Sequence, residues 1–343
     1  MRKTNYIDLP TMASYLNKVG PENVIKRLVP YLEEDYKRWE DFQKIPRTSH
    51  HCKEGVCELM PIGDKDLFSY KYVNGHPINP KFGFLTVMGF GMLAEVKTGF
   101  PLLLSELTLT TAVRTAATSC MAAKYLAKKN PKKMALIGNG CQSDFQCLGF
   151  HYVLGIEEIH CYDVDEAATD KLINNLKDVP NLKFVKCKSA AEACKGCDIV
   201  TTITADKKLA TILTKDMIEP GMHLNAVGGD CPGKTELDSE ILHMGRVFVE
   251  FEPQSRIEGE IQHQSPDFKV TELWNVIKTE KPIERGENDI TIFDSVGFAI
   301  EDFSMLRLMN DIAKEENLGT EEVIVPVLEN PKNLYGLING TNK

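Results

Sequence analysis

The sequence predicts an α/β protein in two units: a doubly wound parallel sheet, preceded by an α+β unit with a mainly antiparallel sheet. Three observations predict it. After about residue 132, short apolar runs alternate with helix-like stretches, the pattern of a parallel sheet wrapped by helices. Before about residue 115, strand-like runs follow one another with only short turns between them, the pattern of antiparallel pairing. The length, 343 residues, is that of about two domains.

The elements follow in order. "PENVIKRLVPYLEEDYKRWEDFQ" (21–43) sets Val24, Leu28, Leu32, Tyr36 and Trp39 on one helical face. "GVCELMPIG" (55–63), "LFSYKYVNG" (67–75), "FLTVMGFGML" (84–93) and "PLLLSEL" (101–107) read as strands. "TLTTAVRTAATSCMAAKYLAKKNPKK" (108–133) reads as a long helix bridging the units, with threonines as caps at its start. "MALIG" is a fully apolar run, as in a strand buried on both faces. "EIHCYD", "LKFVKC", "DIVTTIT", "HLNAVG" and "RVFVE" continue the series. The expected division is a first unit of 1–115, completed by 317–343, and 116–316 as a dinucleotide-binding unit of Rossmann type.

The dinucleotide expectation rests on "GNGCQS" (138–143). It follows a buried strand and opens a helix, and Asp163 ends the next strand, 23 residues after Gly140. Gly138 permits the tight turn, and Gly140 lets backbone approach a pyrophosphate. The helix start offers unpaired N–H groups to the phosphates. Asp163 can accept from both adenosine ribose hydroxyls and repels a 2′-phosphate, which favours NAD over NADP. Ser143 stands where the third glycine of the motif is usual.

Composition narrows the partners. With 43% hydrophobic and 26% charged residues the chain is of ordinary globular make-up, and its net charge of −9 argues against nucleic acid. "MRKTNYIDLPTMASYL" lacks a signal-peptide core, and no run approaches the ~20 apolar residues of a membrane span. The expectation is a cytoplasmic protein with no membrane partner. The ten cysteines are scattered and read as reduced thiols. Cys194 and Cys197 form one CxxC with no second pair, so no metal site is expected.

Several charged residues lack an evident structural task. Arg47, Lys71 and Arg114 together would clamp a carboxylate if the fold brings them to one place. Glu58 lies in the strand "CELMP". Asp230 lies in "LNAVGGDCPGKTEL" (224–237), a Gly/Pro-rich loop following a strand of the parallel sheet. Ligands gather beyond the carboxyl ends of such strands. Two glycines there would let the backbone pass close to a cofactor, with Lys234 within reach.

The pieces "KYVNGHPINP", "LLSELTLTTAVRTAAT", "MALIGNGCQSDFQCLGFHYVLGIEEIHCYD", "HLNAVGGDCPGKTEL" and "FDSVGFAIEDF" resemble, in order, the ornithine cyclodeaminase/mu-crystallin family. The resemblance implies an NAD-dependent, redox-neutral conversion of L-ornithine to L-proline and ammonia, by a homodimer paired through its N-terminal sheets. It implies that Arg47, Lys71 and Arg114 bind the substrate carboxylate, and that Glu58, Met60, Asp230 and Val296 line the substrate site. It implies cofactor contacts at Thr86, Arg114, Cys141, Gln142, Asp163, Thr204, Leu224, Asn225, Ala226, Val227, Lys234 and Ser295, beside Gly138 and Gly140.

The implied reaction is hydride transfer from Cα to bound NAD, ring closure by the δ-amine, loss of ammonia and return of the hydride. Ring closure gains from proximity. The δ-ammonium must lose a proton and the departing nitrogen must gain one, a task for a carboxylate near the chain end, with Asp230 the first candidate. Two other readings stay open. One is a ketimine reductase, lysine cyclodeaminase or amino-acid dehydrogenase of the same family. The other is a non-catalytic, crystallin-like protein that binds NAD or a small ligand.

Overall fold

The computed structural model describes residues 2–205 and 210–342. The first unit begins with strand β1 (Thr4–Ile7) and helices α1 (Leu9–Val19) and α2 (Pro21–Lys37). Strands β2 (Thr48–His51), β3 (Val56–Gly63), β4 (Leu67–Gly75), β5 (Val87–Glu95) and β6 (Pro101–Glu106) follow. Period-two alternation sorts their side chains. Met60 sits opposite Lys71, and Glu58 opposite Val73, on the covered face. Leu59, Phe68 and Phe90 stand exposed on the other.

Helix α3 (Leu109–Leu126) links the units and is buried at almost every position. Its Ala, Thr and Ser side chains allow α2, α4 and α9 (the latter two defined below) to pack against it. The expected threonine cap is not what starts it: Thr108 makes no side-chain cap bond. Glu106 accepts the N–H groups of Thr108, Leu109 and Thr110 at 2.7, 2.9 and 3.2 Å instead. One carboxylate thus satisfies three donors that the helix start leaves unpaired.

The second unit runs β7 (Lys133–Ile137), α4 (Ser143–Gly149), β8 (Glu158–Tyr162), α5 (Glu166–Leu176), β9 (Lys183–Lys186), α6 (Ala190–Cys194) and β10 (Ile199–Thr202). It continues β11 (His223–Ala226), β12 (Arg246–Val249), α7 (Glu252–Glu258), β13 (Thr271–Glu272), α8 (Leu273–Ile277) and β14 (Thr291–Asp294). All eight strands are parallel, in the order β13-β12-β14-β11-β10-β7-β8-β9. The chain winds outward from β7 to β9 and then returns to β10, so the crevice where ligands gather opens between β7 and β10.

Helix α9 (Ala299–Glu316), strand β15 (Thr320–Glu322) and a short helix α10 (Gly336–Asn339) complete the described chain. β15 pairs antiparallel with β1, giving a seven-stranded sheet in the order β15-β1-β6-β5-β4-β3-β2, in which only β1 and β6 run parallel. The sequence assigns α9 with the dinucleotide unit up to residue 316. In the structure it packs against β3, β4, β5 and β6, and against α2 and α3. The reason is electrostatic as well as apolar. Glu301 and Asp302, both buried, meet Arg114 and Lys71 of the first unit.

Candidate functional site

One cavity opens between the covered face of the antiparallel sheet and the C-terminal edge of the parallel sheet. Arg47, Glu58, Met60, Lys71, Arg114, Gln142, Val227, Asp230, Ser295 and Val296 all line it. Residues from seven separate stretches of the chain, all expected from sequence, therefore converge. Glu58, Met60 and Lys71 come from paired strands, whose register aligns them on one face. Arg114 comes from the second turn of α3.

None of the three cations is bare. Lys71, 1% exposed, donates to Asp302 Oδ1 at 2.8 Å. Arg114 Nη1 donates to Glu301 Oε2 at 2.7 Å. Its Nε stands 3.2 Å from Asp302 Oδ1, an ion pair too poorly angled to be a hydrogen bond. Arg47 Nη1 donates to Glu58 Oε2 at 3.0 Å, and Nη2 donates to the carbonyls of Val296 and Gly297 at 2.9 and 2.5 Å. Its Nε faces Glu258 Oε2 at 3.1 Å, again with a poor angle. Arg47 thus fastens the first unit to α7 and to the loop after β14.

Charge states follow from this crowding. Burial and the neighbouring Arg114 pull Lys71 down to about 8, with Asp302 opposing them. Burial pushes Glu258 up to about 7 and Glu301 up to about 8, against the pull of Arg47 and Arg114 respectively. Near neutral pH these two acids carry a proton part of the time, so the cluster keeps positive potential to offer an anion.

Sequence reasoning missed Glu258, Glu301 and Asp302. The signal for the last two was present. A helix buried on nearly every side that still carries two adjacent acids needs buried cations to meet them.

The remaining candidates lie along the dinucleotide crevice. Gly138 has φ +95°, and a Cβ there would meet the Ile203 carbonyl at 2.7 Å, so the turn requires glycine. A Cβ on Gly140 would meet nothing within 4 Å: that position faces open space. Asp163, at the end of β8, accepts from the Asn139 and Asp165 N–H groups at 2.6 and 2.8 Å, which fixes the turn against the acid. Ser143 donates to the Gly140 carbonyl at 2.6 Å and so ties the turn internally where a glycine is usual.

Gln142 Oε1 and Asn225 Oδ1 are buried and lack a hydrogen-bond partner among the described residues. Polar atoms in that state await a donor from a ligand or water. Cys141, next to Gln142 in the chain, is exposed. Leu224, Asn225 and Ala226 lie in β11, with Val227 just beyond it. Thr204 lies just beyond β10 and Ser295 just beyond β14; Thr86, just before β5, is not among the residues lining the cavity, and its carbonyl accepts from His76 N at 2.9 Å. This donor and acceptor set fits a dinucleotide.

Asp230 is 49% exposed at its side chain and lies 3.3 Å from Lys234 Nζ. Lys234 is buried and also donates to the Thr204 carbonyl at 2.9 Å. The two glycines before Asp230 have a different occupant from the one expected. A Cβ on Gly228 would lie 2.1 Å from the Glu236 carboxyl, and one on Gly229 would lie 2.7 Å from Glu260 Oε1. Buried acids of the protein itself, rather than a cofactor, press on both.

Cys194 and Cys197 are buried, and burial pushes both thiols up to about 12. Among the described residues no group of three or more His, Cys, Asp or Glu side chains is arranged to hold a metal, and no helix is long and apolar enough to cross a membrane.

Comparison with known proteins gives a consistent result. The sequence profile of the ornithine cyclodeaminase/mu-crystallin family matches residues 10–317. An ornithine cyclodeaminase of Brucella suis is 50% identical over 333 residues, 97% of this chain and 93% of that protein. A lysine cyclodeaminase solved for its recognition of L-lysine, L-ornithine and L-2,4-diaminobutyric acid superposes with TM-score 0.89 at 26% identity, covering 98% of this chain and 99% of that one. An archaeal alanine dehydrogenase dimer with bound NAD superposes with TM-score 0.85 at 30% identity, covering 94% of this chain and all of that one.

Proposed function

The chain belongs to the ornithine cyclodeaminase/mu-crystallin family, and from that premise we propose that it is an NAD-dependent ornithine cyclodeaminase, forming L-proline and ammonia from L-ornithine. The observation that carries this reading is the single cavity joining Arg47, Lys71 and Arg114 to Glu58 and Asp230 at the edge of a dinucleotide crevice. NAD, when bound, supplies a hydride acceptor and donor that is regenerated within one turnover.

The residues divide the remaining work. Arg47, Lys71 and Arg114 take the substrate carboxylate, whose arrival favours the protonated forms of Glu258 and Glu301. Met60 and Val296 give the cavity an apolar wall that limits water. Glu58, held by Arg47 and by Ser49 Oγ at 3.0 Å, supports the cationic chain end. Asp230 takes a proton from the δ-ammonium and returns one to the departing nitrogen. Asp163 reads the adenosine ribose, Gly138 and Gly140 shape the pyrophosphate turn, and Gln142, Thr204, Lys234, Ser295 and 224–227 line the cofactor's path. Thr86 and Cys141 border it. In this reading the substrate unit comprises 1–115 together with α9 and the C-terminal tail.

The exposed sheet face bearing Leu59, Phe68 and Phe90 supports a homodimer paired through it. The same composition and charge support a cytoplasmic enzyme without nucleic-acid or membrane partners.

The test is direct. Purified protein given ornithine and catalytic NAD forms proline and ammonia with no net NADH. Failure to form proline overturns the reading. Faster turnover of lysine in the same panel transfers the assignment to a lysine cyclodeaminase, the reading favoured by the fold match to that enzyme.

A further inference from the structure

Three buried carboxylates behind the cavity have no part in the reading above. Each sits at or beyond the end of a strand or helix of the second unit, and each grips the backbone of the next segment. Asp294, ending β14, accepts from Glu260 N at 2.9 Å and Ile261 N at 3.2 Å. Glu260, just beyond α7, accepts from Glu236 N at 2.8 Å and Leu237 N at 3.0 Å. Glu236, in the Asp230 loop, accepts from Thr204 N at 3.0 Å and from the Thr204 hydroxyl. The Thr204 carbonyl then accepts from Lys234 Nζ at 2.9 Å, and the same Nζ reaches Asp230 Oδ1 at 3.3 Å. All three acids are at most 3% exposed.

Acids in such places cost desolvation, which pushes Glu260 up to about 8 and Asp294 up to about 7 and raises Glu236. The glycines are complementary to this arrangement, because any side chain on Gly228 or Gly229 would occupy the space of the Glu236 or Glu260 carboxyl. Asp294 and Glu260 each use both oxygens on N–H donors, which an amide with one acceptor cannot match. Glu236 uses Oε1 on Thr204, and among the described residues its Oε2 has no hydrogen-bond partner.

We propose that Glu236 is a positioning residue for the cofactor and proton-transfer site: it fixes Thr204, through Thr204 the Lys234 ammonium, and through Lys234 the Asp230 carboxylate, with Glu260 and Asp294 as its support. The proposal rests on the roles given above to Thr204, Lys234 and Asp230.

A double-mutant cycle tests it, read as the NADH dissociation constant by fluorescence and as kcat. Gly228→Ala and Glu236→Ala are each expected to weaken NADH binding about tenfold, the scale of one buried hydrogen-bond set. The pair is expected to be no weaker than the weaker single variant, since both remove the same contact. Glu236→Gln keeps the acceptor for Thr204 and stays within about threefold of wild type, while Glu260→Gln loses about tenfold. Losses that multiply to about a hundredfold in the pair, or a Gln variant at Glu236 as weak as the Ala variant, overturn the role of Glu236. Lys234→Ala separates the premises: unchanged NADH affinity there overturns the cofactor reading of the loop itself, whereas weakened affinity there with multiplicative losses in the cycle overturns Glu236 alone.

Discussion

Asp230 differs from the other acids of the cavity in being accessible. Glu58, Glu301 and Asp302 are locked against cations in the interior, while Asp230 keeps half its side chain open and is paired with Lys234. A group that gives and takes protons needs that freedom. Asp230→Asn is therefore expected to lower kcat at least ~100-fold while NADH binding stays within about twofold. Stopped-flow turnover and fluorescence titration check the two halves, and unchanged turnover removes Asp230 from the chemistry. Asp302 is its opposite, a shared counter-ion with one oxygen bearing two cations. Asp302→Ala leaves buried charge unpaired and is expected to destabilise the fold by roughly 3–5 kcal/mol in urea titration. The position of Asp163 was legible in the sequence because it is set locally: a strand, a turn and an acid at fixed spacing. The partners of Lys71 and Arg114 were not, because the acids that meet them lie 231 and 187 residues away.

At the level of elements, the ends of β12 and β14, the turns around α7 and the first turn of α9 together gather Glu250, Glu258, Glu260, Asp294 and Glu301. Burial pushes these to between about 7 and about 8. Unfolded, they release their protons near their ordinary values of 3.8 to 4.5. Between those limits the folded chain binds more protons than the unfolded one, so stability falls as pH rises across the window. The melting temperature is expected to be higher at pH 5.5 than at pH 8.5, and Glu301→Gln to flatten that slope. A melting temperature that rises through this range overturns the account. Acids with lowered values, Asp64 and Asp198, act below it. Strands β7 to β12 of the parallel sheet were readable from their apolar runs, whereas β13 and β14 were not read as strands. Strands β1 and β2 were not, since each has four residues and too little alternation to signal itself. Helix α9 was readable as a helix but not in its location, because apolar periodicity does not say which sheet a helix covers.

For the whole molecule, two features bear on assembly. The first sheet leaves one face bare, with Phe90 46% exposed and Leu59 45% exposed. Phe90→Asp puts a charge in the middle of that face and is expected to shift light-scattering mass from dimer to monomer. A dimer that persists moves the interface elsewhere. The second feature is the route of the chain. It leaves the first unit at α3, builds the parallel sheet, and returns as α9 to neutralise the cations waiting there. During synthesis Lys71 emerges long before Asp302. At about 5–20 residues per second the delay is roughly 10–50 s. Over that interval Lys71 and Arg114 lack the acids that meet them in the finished fold, while Arg47 already has Glu58. The cation cluster therefore reaches its final charge balance only once α9 has been made.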